Sequence, residues 1–276
     1  MLNFYWAYAA LFFVAGLTAV YIMFPALTDL IARAGFLRPN YRGHFIPVGA
    51  GLVFFFGNLW AAGIYFYLFQ DAQSALVILF PVSAFTCLGL LDDVWGTRET
   101  SGLAGHFKSL LHGRCTTGAC KALGGLAAAA LTTAFLGSGR PFFLINTLAI
   151  ALSANAVNLL DRRPGRAGKG FIFLTVILIF AGWGQQRMLF LITFLGAVLA
   201  YLKADLKEKV MMGDTGANPL GAVLGIGAFW ALEEPYLIAY LLFLILFHLL
   251  AEKYSLTGLI AKNRLLDYLD RLGRSR

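Results

Sequence analysis

The stretch Ser74-Ala-Leu-Val-Ile-Leu-Phe-Pro-Val-Ser-Ala-Phe-Thr-Cys-Leu-Gly-Leu-Leu-Asp-Asp93 decides the fold class. Residues 74–91 carry no charge, and a helix of roughly 20 apolar residues crosses a ~30 Å hydrocarbon core. The apolar residues run on without the alternation that a transmembrane barrel strand needs. Comparable runs lie near 4–24, 46–69, 120–137, 141–160, 169–184, 187–203, 217–232 and 235–252. The 276 residues are 59% hydrophobic and 13% charged, with a mean hydropathy of +0.74. That is too much apolar surface for a water-soluble interior to hide. The expected fold is all-α: one integral membrane domain over 1–276, a polytopic transmembrane bundle of about nine spans.

The first run has no Lys or Arg ahead of it, so it reads as a retained helix with its N-terminus outside and not as a cleavable signal. Odd spans then enter the cytoplasm and even spans leave it. Of the 22 Lys and Arg, all but Arg140 and Arg187 fall on the predicted inner side, as the positive-inside bias requires. The expected location is the cell membrane, with the C-terminus and the active face cytoplasmic. The net charge of +8 follows from this topology and from attraction to anionic head groups, so nucleic acid is not an expected partner. Cys115 and Cys120 lie in a reducing inner loop, where no disulfide is expected; without nearby histidines they make a poor metal site.

Outer connections are short, whereas the inner ones, 33–45, 92–121, 155–169 and 204–219 with the tail 253–276, are longer and carry the polar residues. Two inner stretches are amphipathic and are expected to lie in the membrane interface. One sets Leu103, Phe107, Leu110 and Leu111 against Lys108, His112 and Arg114; the other sets Leu256, Leu259, Ile260, Leu266, Leu269 and Leu272 against Lys262, Arg264, Asp267, Asp270 and Arg271.

Three motifs close or open spans on this inner side. Asp92 and Asp93 end the third span in Gly89-Leu-Leu-Asp-Asp-Val-Trp-Gly96. If enclosed together, the two like charges call for a divalent cation, a basic partner or one raised pKa; at a helix end they can also be plain interfacial acids. Asn155-Ala-Val-Asn158-Leu-Leu-Asp161 ends the fifth span, and polar residues three apart form one stripe on a helix. Lipid cannot satisfy that stripe, so it faces protein or water, and helix–helix hydrogen bonding would explain it equally. Met212-Gly-Asp-Thr-Gly-Ala-Asn-Pro-Leu-Gly221 opens the eighth span, with Asn218 and Pro219 reading as N-cap and first helical residue. Asp214 then sits in a glycine-flanked loop at a helix N-terminus, which suits a carboxylate holding Mg²⁺ beside a phosphate or merely caps a loop. Lys121 starts the fourth span, where the helix dipole disfavours a cation unless an anion accompanies it; a snorkelling lysine is the ordinary alternative. Arg42, ahead of Ile46-Pro-Val-Gly-Ala-Gly51, is a weaker candidate of the same kind. Together these groups fit Mg²⁺-dependent phosphoryl transfer, although proton-coupled transport draws on the same residue types.

With these motifs in hand, the chain resembles the polyprenyl-phosphate N-acetylhexosamine-1-phosphate transferase superfamily, which includes the phospho-N-acetylmuramoyl-pentapeptide transferases. The resemblance runs from Ile46 to about Gly225, through Ile46-Pro-Val-Gly-Ala-Gly51, Leu90-Leu-Asp-Asp93, Cys120-Lys-Ala-Leu-Gly124, Asn155-Ala-Val-Asn-Leu-Leu-Asp161 and Met212-Gly-Asp-Thr-Gly216. It implies transfer of a sugar-1-phosphate from a UDP-linked amino sugar to a polyprenyl phosphate such as undecaprenyl phosphate, releasing UMP. It further implies Mg²⁺ on Asp214, catalytic roles for Asp92, Asp93 and Asp161, and substrate contacts from Lys121, Asn155 and Asn158. A homodimer is also compatible with it. The chain departs from the family where Asp161 is followed by Arg162-Arg-Pro-Gly165, placing Pro164 at the usual second acidic position. It also departs where a histidine-rich loop and tenth helix give way to the amphipathic tail. His248 falls inside the ninth span, as a hydrogen-bonded core histidine. Arg162, Arg163 and Arg166 are then expected to serve as diphosphate contacts. The alternatives to an active transferase are an inactive relative that binds the lipid carrier or envelope-synthesis partners, and a transporter. A transporter would place acids at mid-membrane and pair broken helices, and neither is evident.

Overall fold

A computed structural model describes residues 2–96, 116–137 and 139–274. Among the described residues, nine helices lie at the nine expected apolar runs: α1 (Leu2–Arg33), α2 (Leu52–Phe69), α3 (Ala72–Trp95), α4 (Thr117–Phe135), α5 (Arg140–Leu160), α6 (Arg166–Ala181), α7 (Met188–Leu206), α8 (Asp214–Ala231) and α9 (Glu234–Lys253). Two short helices, α10 (Leu256–Lys262) and α11 (Arg264–Arg271), form the tail. Seven of these, α1 to α5, α7 and α9, are long and apolar enough to cross a membrane. The chain is an all-α, multi-pass membrane protein. The amphipathic stretch expected at 103–114, with Arg98 and Cys115, lies outside the described residues.

The two helices short of that measure differ from the rest for physical reasons. α6 has only 16 residues. α8 begins with polar residues and is buried along almost its whole length, packed by α3, α5, α6 and α7. A helix enclosed by other helices has no lipid to satisfy, so small residues replace the leucines of a lipid-facing span. A Cβ on Gly221 would lie 2.1 Å from the Ser153 carbonyl oxygen of α5, which shows how closely the two backbones approach. α9 is the opposite case: it leaves Leu242, Phe243, Leu246 and Leu249 exposed, as a peripheral lipid-facing helix does.

Three boundaries differ most from expectation, the first being α1, which runs on to Arg33 where the span was expected to end at 24. Residues 46–51 do not join the second span: Phe45–Pro47 forms β2, paired antiparallel with β1 (Leu37–Pro39) in the register Leu37↔Pro47. The Asn40 side-chain oxygen closes this ribbon by accepting the Arg42 and His44 N–H groups at 2.8 and 3.0 Å, an Asx turn that outcompetes helix. The chain then bonds to the approach to α8, through Met211 N–H to Pro47 O (2.8 Å) and Gly51 N–H to Met212 O (3.1 Å). Likewise α8 starts at Asp214, so Asn218 and Pro219 lie inside its first turns and do not cap it; the capping is supplied from other helices.

Contacts sort the helix ends into two groups. At one end meet the last turns of α3, α5 and α7, the first turns of α4, α6 and α8, the ribbon and the tail. At the other, Tyr5 and Trp6 pack on Trp183 with ring centroids 5.1 and 4.5 Å apart, and Arg187 donates to Ser74 Oγ at 3.0 Å. There too, Asp71 accepts the Ser74 N–H and caps α3. Arg187, one of the two cations assigned to the outer side, is thus held away from the acidic motifs.

Candidate active site

The polar cluster is built around the start of α8. Asp93, in the last turn of α3, receives the Asp214 and Thr215 backbone N–H groups at 3.1 and 3.0 Å and the Thr215 hydroxyl at 2.6 Å. A carboxylate at a helix N-terminus satisfies orphan amides and complements the dipole. Asp161, at the C-terminal end of α5, accepts the Gly213 N–H at 3.1 Å. Asp93 and Asp161, expected as catalytic acids, both accept hydrogen bonds from the Gly213–Thr215 turn. Gly213 has φ +70°, and a Cβ there would meet Asp93 Oδ2 at 2.4 Å. The turn thus requires a residue without a side chain. On α3, a Cβ at Gly89 would meet the Asp214 carbonyl oxygen at 2.2 Å, so the two helices close up at this point.

So oriented, the Asp214 carboxylate meets groups from two further helices. Lys121, the fifth residue of α4, bridges it to Asp92 of α3, with Nζ 2.9 Å from Asp92 Oδ2 and in direct contact with Asp214 Oδ2. Asn158 Nδ2 of α5 donates to the same Asp214 oxygen at 3.2 Å. α4 begins at Thr117, three residues before the expected span, so Lys121 lies past its first turn, and the paired carboxylates, not the helix dipole, dominate its surroundings. About a fifth of each of the three charged side chains stays exposed, 21% for Asp92, 22% for Lys121 and 21% for Asp214, so the cluster is open to a ligand. Among the described residues, no three His, Cys, Asp or Glu side chains are grouped as a metal cage. Asp161 stays protonated to higher pH than an ordinary carboxyl, through burial and the nearby charges of Asp205, Asp214 and Asp93, partly offset by the Gly213 N–H.

The other expected contacts fall elsewhere. Asn155 lies one turn further into α5 and is half-buried. Arg42 pairs with Glu208 at 3.1 Å and donates to the Tyr41 hydroxyl, while Arg163 stacks on the Tyr41 ring at 4.3 Å, beside the exposed Arg162. Arg166 is not available as a diphosphate contact: it is buried, and its guanidinium makes two 2.8 Å bonds to Asp270 and one of 3.0 Å to Thr257. His248 bonds the Leu244 carbonyl at 2.7 Å, within α9 as expected. Thr215, Asp205, Tyr41 and Glu208 were missed by sequence reasoning. Asp205 accepts the Gly165 N–H at 2.9 Å, and an acid closing the seventh span was the signal that would have found it.

The comparisons with known proteins bear on this same region. The model of glycosyl transferase family 4 matches residues 75–231. A phospho-N-acetylmuramoyl-pentapeptide-transferase of Thermotoga neapolitana is 29% identical over 184 residues, 59% of this chain and 56% of the relative. The protein of the same name from Thermotoga maritima is 30% identical over 178 residues, 61% and 57% of the two chains. That from Chlamydia trachomatis is 26% identical over 222 residues, 67% and 60%. The chain thus spans less than two thirds of the length of these relatives. The family match takes in Asp92, Asp93, Lys121, Asn158, Asp161 and Asp214 and more than half of the chain, so the chain belongs to glycosyl transferase family 4.

Proposed function

We propose that the protein transfers a sugar-1-phosphate from a UDP-linked amino sugar to a polyprenyl phosphate, on the cytoplasmic face of the cell membrane, for envelope glycan synthesis. The observation that carries this reading is the convergence of Asp92, Lys121, Asn158 and Asp214, from four helices, on one partly open point at the end of the bundle. The names of the relatives support it, as does the apolar flank that the exposed Leu90, Leu91, Leu123 and Leu126 form on α3 and α4 beside Asp92 and Lys121, a surface suited to a polyprenyl chain.

The donor set fits Mg²⁺. This ion is usually held by one or two carboxylates together with substrate phosphates and water, and Asp92 and Asp214 already converge on one cationic group. Asp214 would hold it, and Mg²⁺ when bound supplies charge neutralisation at the phosphoryl oxygens. Lys121 offers three N–H donors to a phosphate, and its move from carboxylate to phosphate leaves Asp92 free to accept a proton from, or orient, the lipid phosphate. Asn158 holds the Asp214 carboxylate in place. Asp93, Asp161 and Thr215 keep the turn that carries Asp214 rigid, so that attacking and leaving oxygens meet in one geometry.

The test is purified protein with Mg²⁺, undecaprenyl phosphate and a panel of UDP-sugars, scored for UMP release. Turnover with one donor, lost by about three orders of magnitude or more in Asp214→Ala, is the expected result. Binding of lipid phosphate without turnover on any donor would replace the transferase with an inactive carrier-binding relative, and solute flux in liposomes would replace it with a transporter.

A further inference from the structure

The tail is tied to the turn that follows Asp161 by more bonds than an interfacial anchor needs. Asp270 of α11 takes two 2.8 Å bonds from the buried Arg166 guanidinium and a 2.6 Å bond from Arg274. Arg274 in turn donates to the Pro164 carbonyl oxygen at 2.8 Å. Lys169 donates to the Leu269 and Asp270 carbonyls at 2.9 and 2.8 Å, and Arg166 reaches Thr257 in α10 at 3.0 Å. Both short helices are therefore pinned to the start of α6. From its other side the same turn is held by Asp205, which accepts the Gly165 N–H at 2.9 Å. Only Arg162, Arg163 and Pro164 separate this clamped Gly165 from Asp161, whose carboxylate holds Gly213 next to Asp214.

Bidentate guanidinium–carboxylate pairs are directional as well as strong, and this one is buried, so its geometry is transmitted and not absorbed by side-chain motion. We infer that the Asp270–Arg166–Arg274 clamp makes the C-terminal tail a positioning element for the active site. By fixing the 162–165 turn it sets Asp161, and through Asp161 the Gly213–Thr215 turn and the Asp214 carboxylate. Asp270, Arg166 and Arg274 touch no reacting group in this scheme; they act through Asp161. The kinetic part rests on the transferase reading, and the structural part does not.

The experiment is amide hydrogen exchange on the full chain in nanodiscs, comparing the unsubstituted protein with Asp270→Ala, Asp270→Glu, Arg274→Ala and Asp267→Ala. Asp267 pairs with Arg271 on the same helix at 2.9 Å and serves as the control for loss of any tail acid. The expected result is exchange about tenfold faster or more at the Gly165 and Gly213 amides in Asp270→Ala. Arg274→Ala should show a smaller effect, Asp270→Glu substantial recovery and Asp267→Ala no change. In the transfer assay, Asp270→Ala should lower kcat roughly tenfold or more with the donor KM little altered. Faster exchange confined to residues 256–274, with the Gly165 and Gly213 amides unchanged, would overturn the clamp. If Asp270→Ala also loses protection at the far end of the bundle, around 187–192, it has unfolded and Arg274→Ala decides by the same criterion. No turnover from the unsubstituted protein on any donor would count against the transferase reading, while the exchange result still decides the clamp.

Discussion

Lys121 is the residue on which the electrostatics of the cluster turn. Its ammonium lies between the Asp92 and Asp214 carboxylates, and removing one partner of such a group leaves like charges facing each other at the membrane surface. Lys121→Met is expected to cut transfer by roughly two to three orders of magnitude, the size seen for loss of one preorganised electrostatic donor, while the protein still purifies as a folded species; near-normal rates would remove the lysine from the mechanism. Gly213 carries a steric version of the same dependence. With φ +70° and ψ 174° it occupies a region that residues other than glycine enter at a cost of about 1–3 kcal/mol, and a Cβ would also strike Asp93. Gly213→Ala should lower the unfolding midpoint in detergent and abolish transfer together, whereas an unchanged midpoint would show that the turn is less constrained than its contacts indicate. Lys121 stood out in the chain as a cation at the start of an apolar run, although α4 begins at Thr117 and places it past the first turn. Gly89 did not, since its reason is the Asp214 backbone 125 positions away.

Among the elements, the tail offers a pH test. Burial works against ionisation of Asp270, but the bonds and charges of Arg166 and Arg274 outweigh it and hold the carboxyl below the usual carboxylate range. The charged groups around it are Arg166 and Lys169 of α6, with Arg274 on its own segment. A carboxyl whose pKa is lower folded than unfolded adds stability above the unfolded value and loses it as pH falls through the folded one. Limited proteolysis of the tail should therefore accelerate as pH drops below the ordinary carboxylate range, and Asp270→Asn should be cleaved readily at every pH. Acid resistance equal to that at neutral pH would show that apolar contacts alone keep the tail docked. The helices themselves were legible from their apolar runs. The ribbon was not, because Phe45-Ile-Pro-Val48 is as apolar as a span and only Asn40, through its side-chain bonds to the next turn, diverts it. The amphipathic pattern of the tail was visible, yet its pairing of Asp270 with Arg166 was hidden by their separation of 104 positions.

For the molecule as a whole, the two groups of helix ends place the ribbon, Lys121, the Arg162–Arg166 turn and the tail on one side and Arg187 on the other. The basic residues alone lead to the expectation that the first side faces the cytoplasm, and labelling tests that orientation. With the native Cys87, Cys115 and Cys120 replaced by serine, a cysteine at Lys207 should react in intact cells with a permeant maleimide and not with an impermeant one. A cysteine at Gln185 should react with both, and the reverse pattern would invert the protein in the membrane. The central position of α8 carries a temporal consequence as well. Its neighbours α3, α5 and α7 precede it in the chain, and the carboxylate that completes the cluster is the first residue of that late helix. During synthesis the earlier spans enter the bilayer before Asp214 is present, with Lys121 paired to Asp92 alone, and the cluster is complete only when α8 slots between helices that precede it in the chain. A nascent chain arrested before Asp214 therefore lacks one of the two carboxylates that Lys121 bridges, and the cluster closes in one step when α8 arrives.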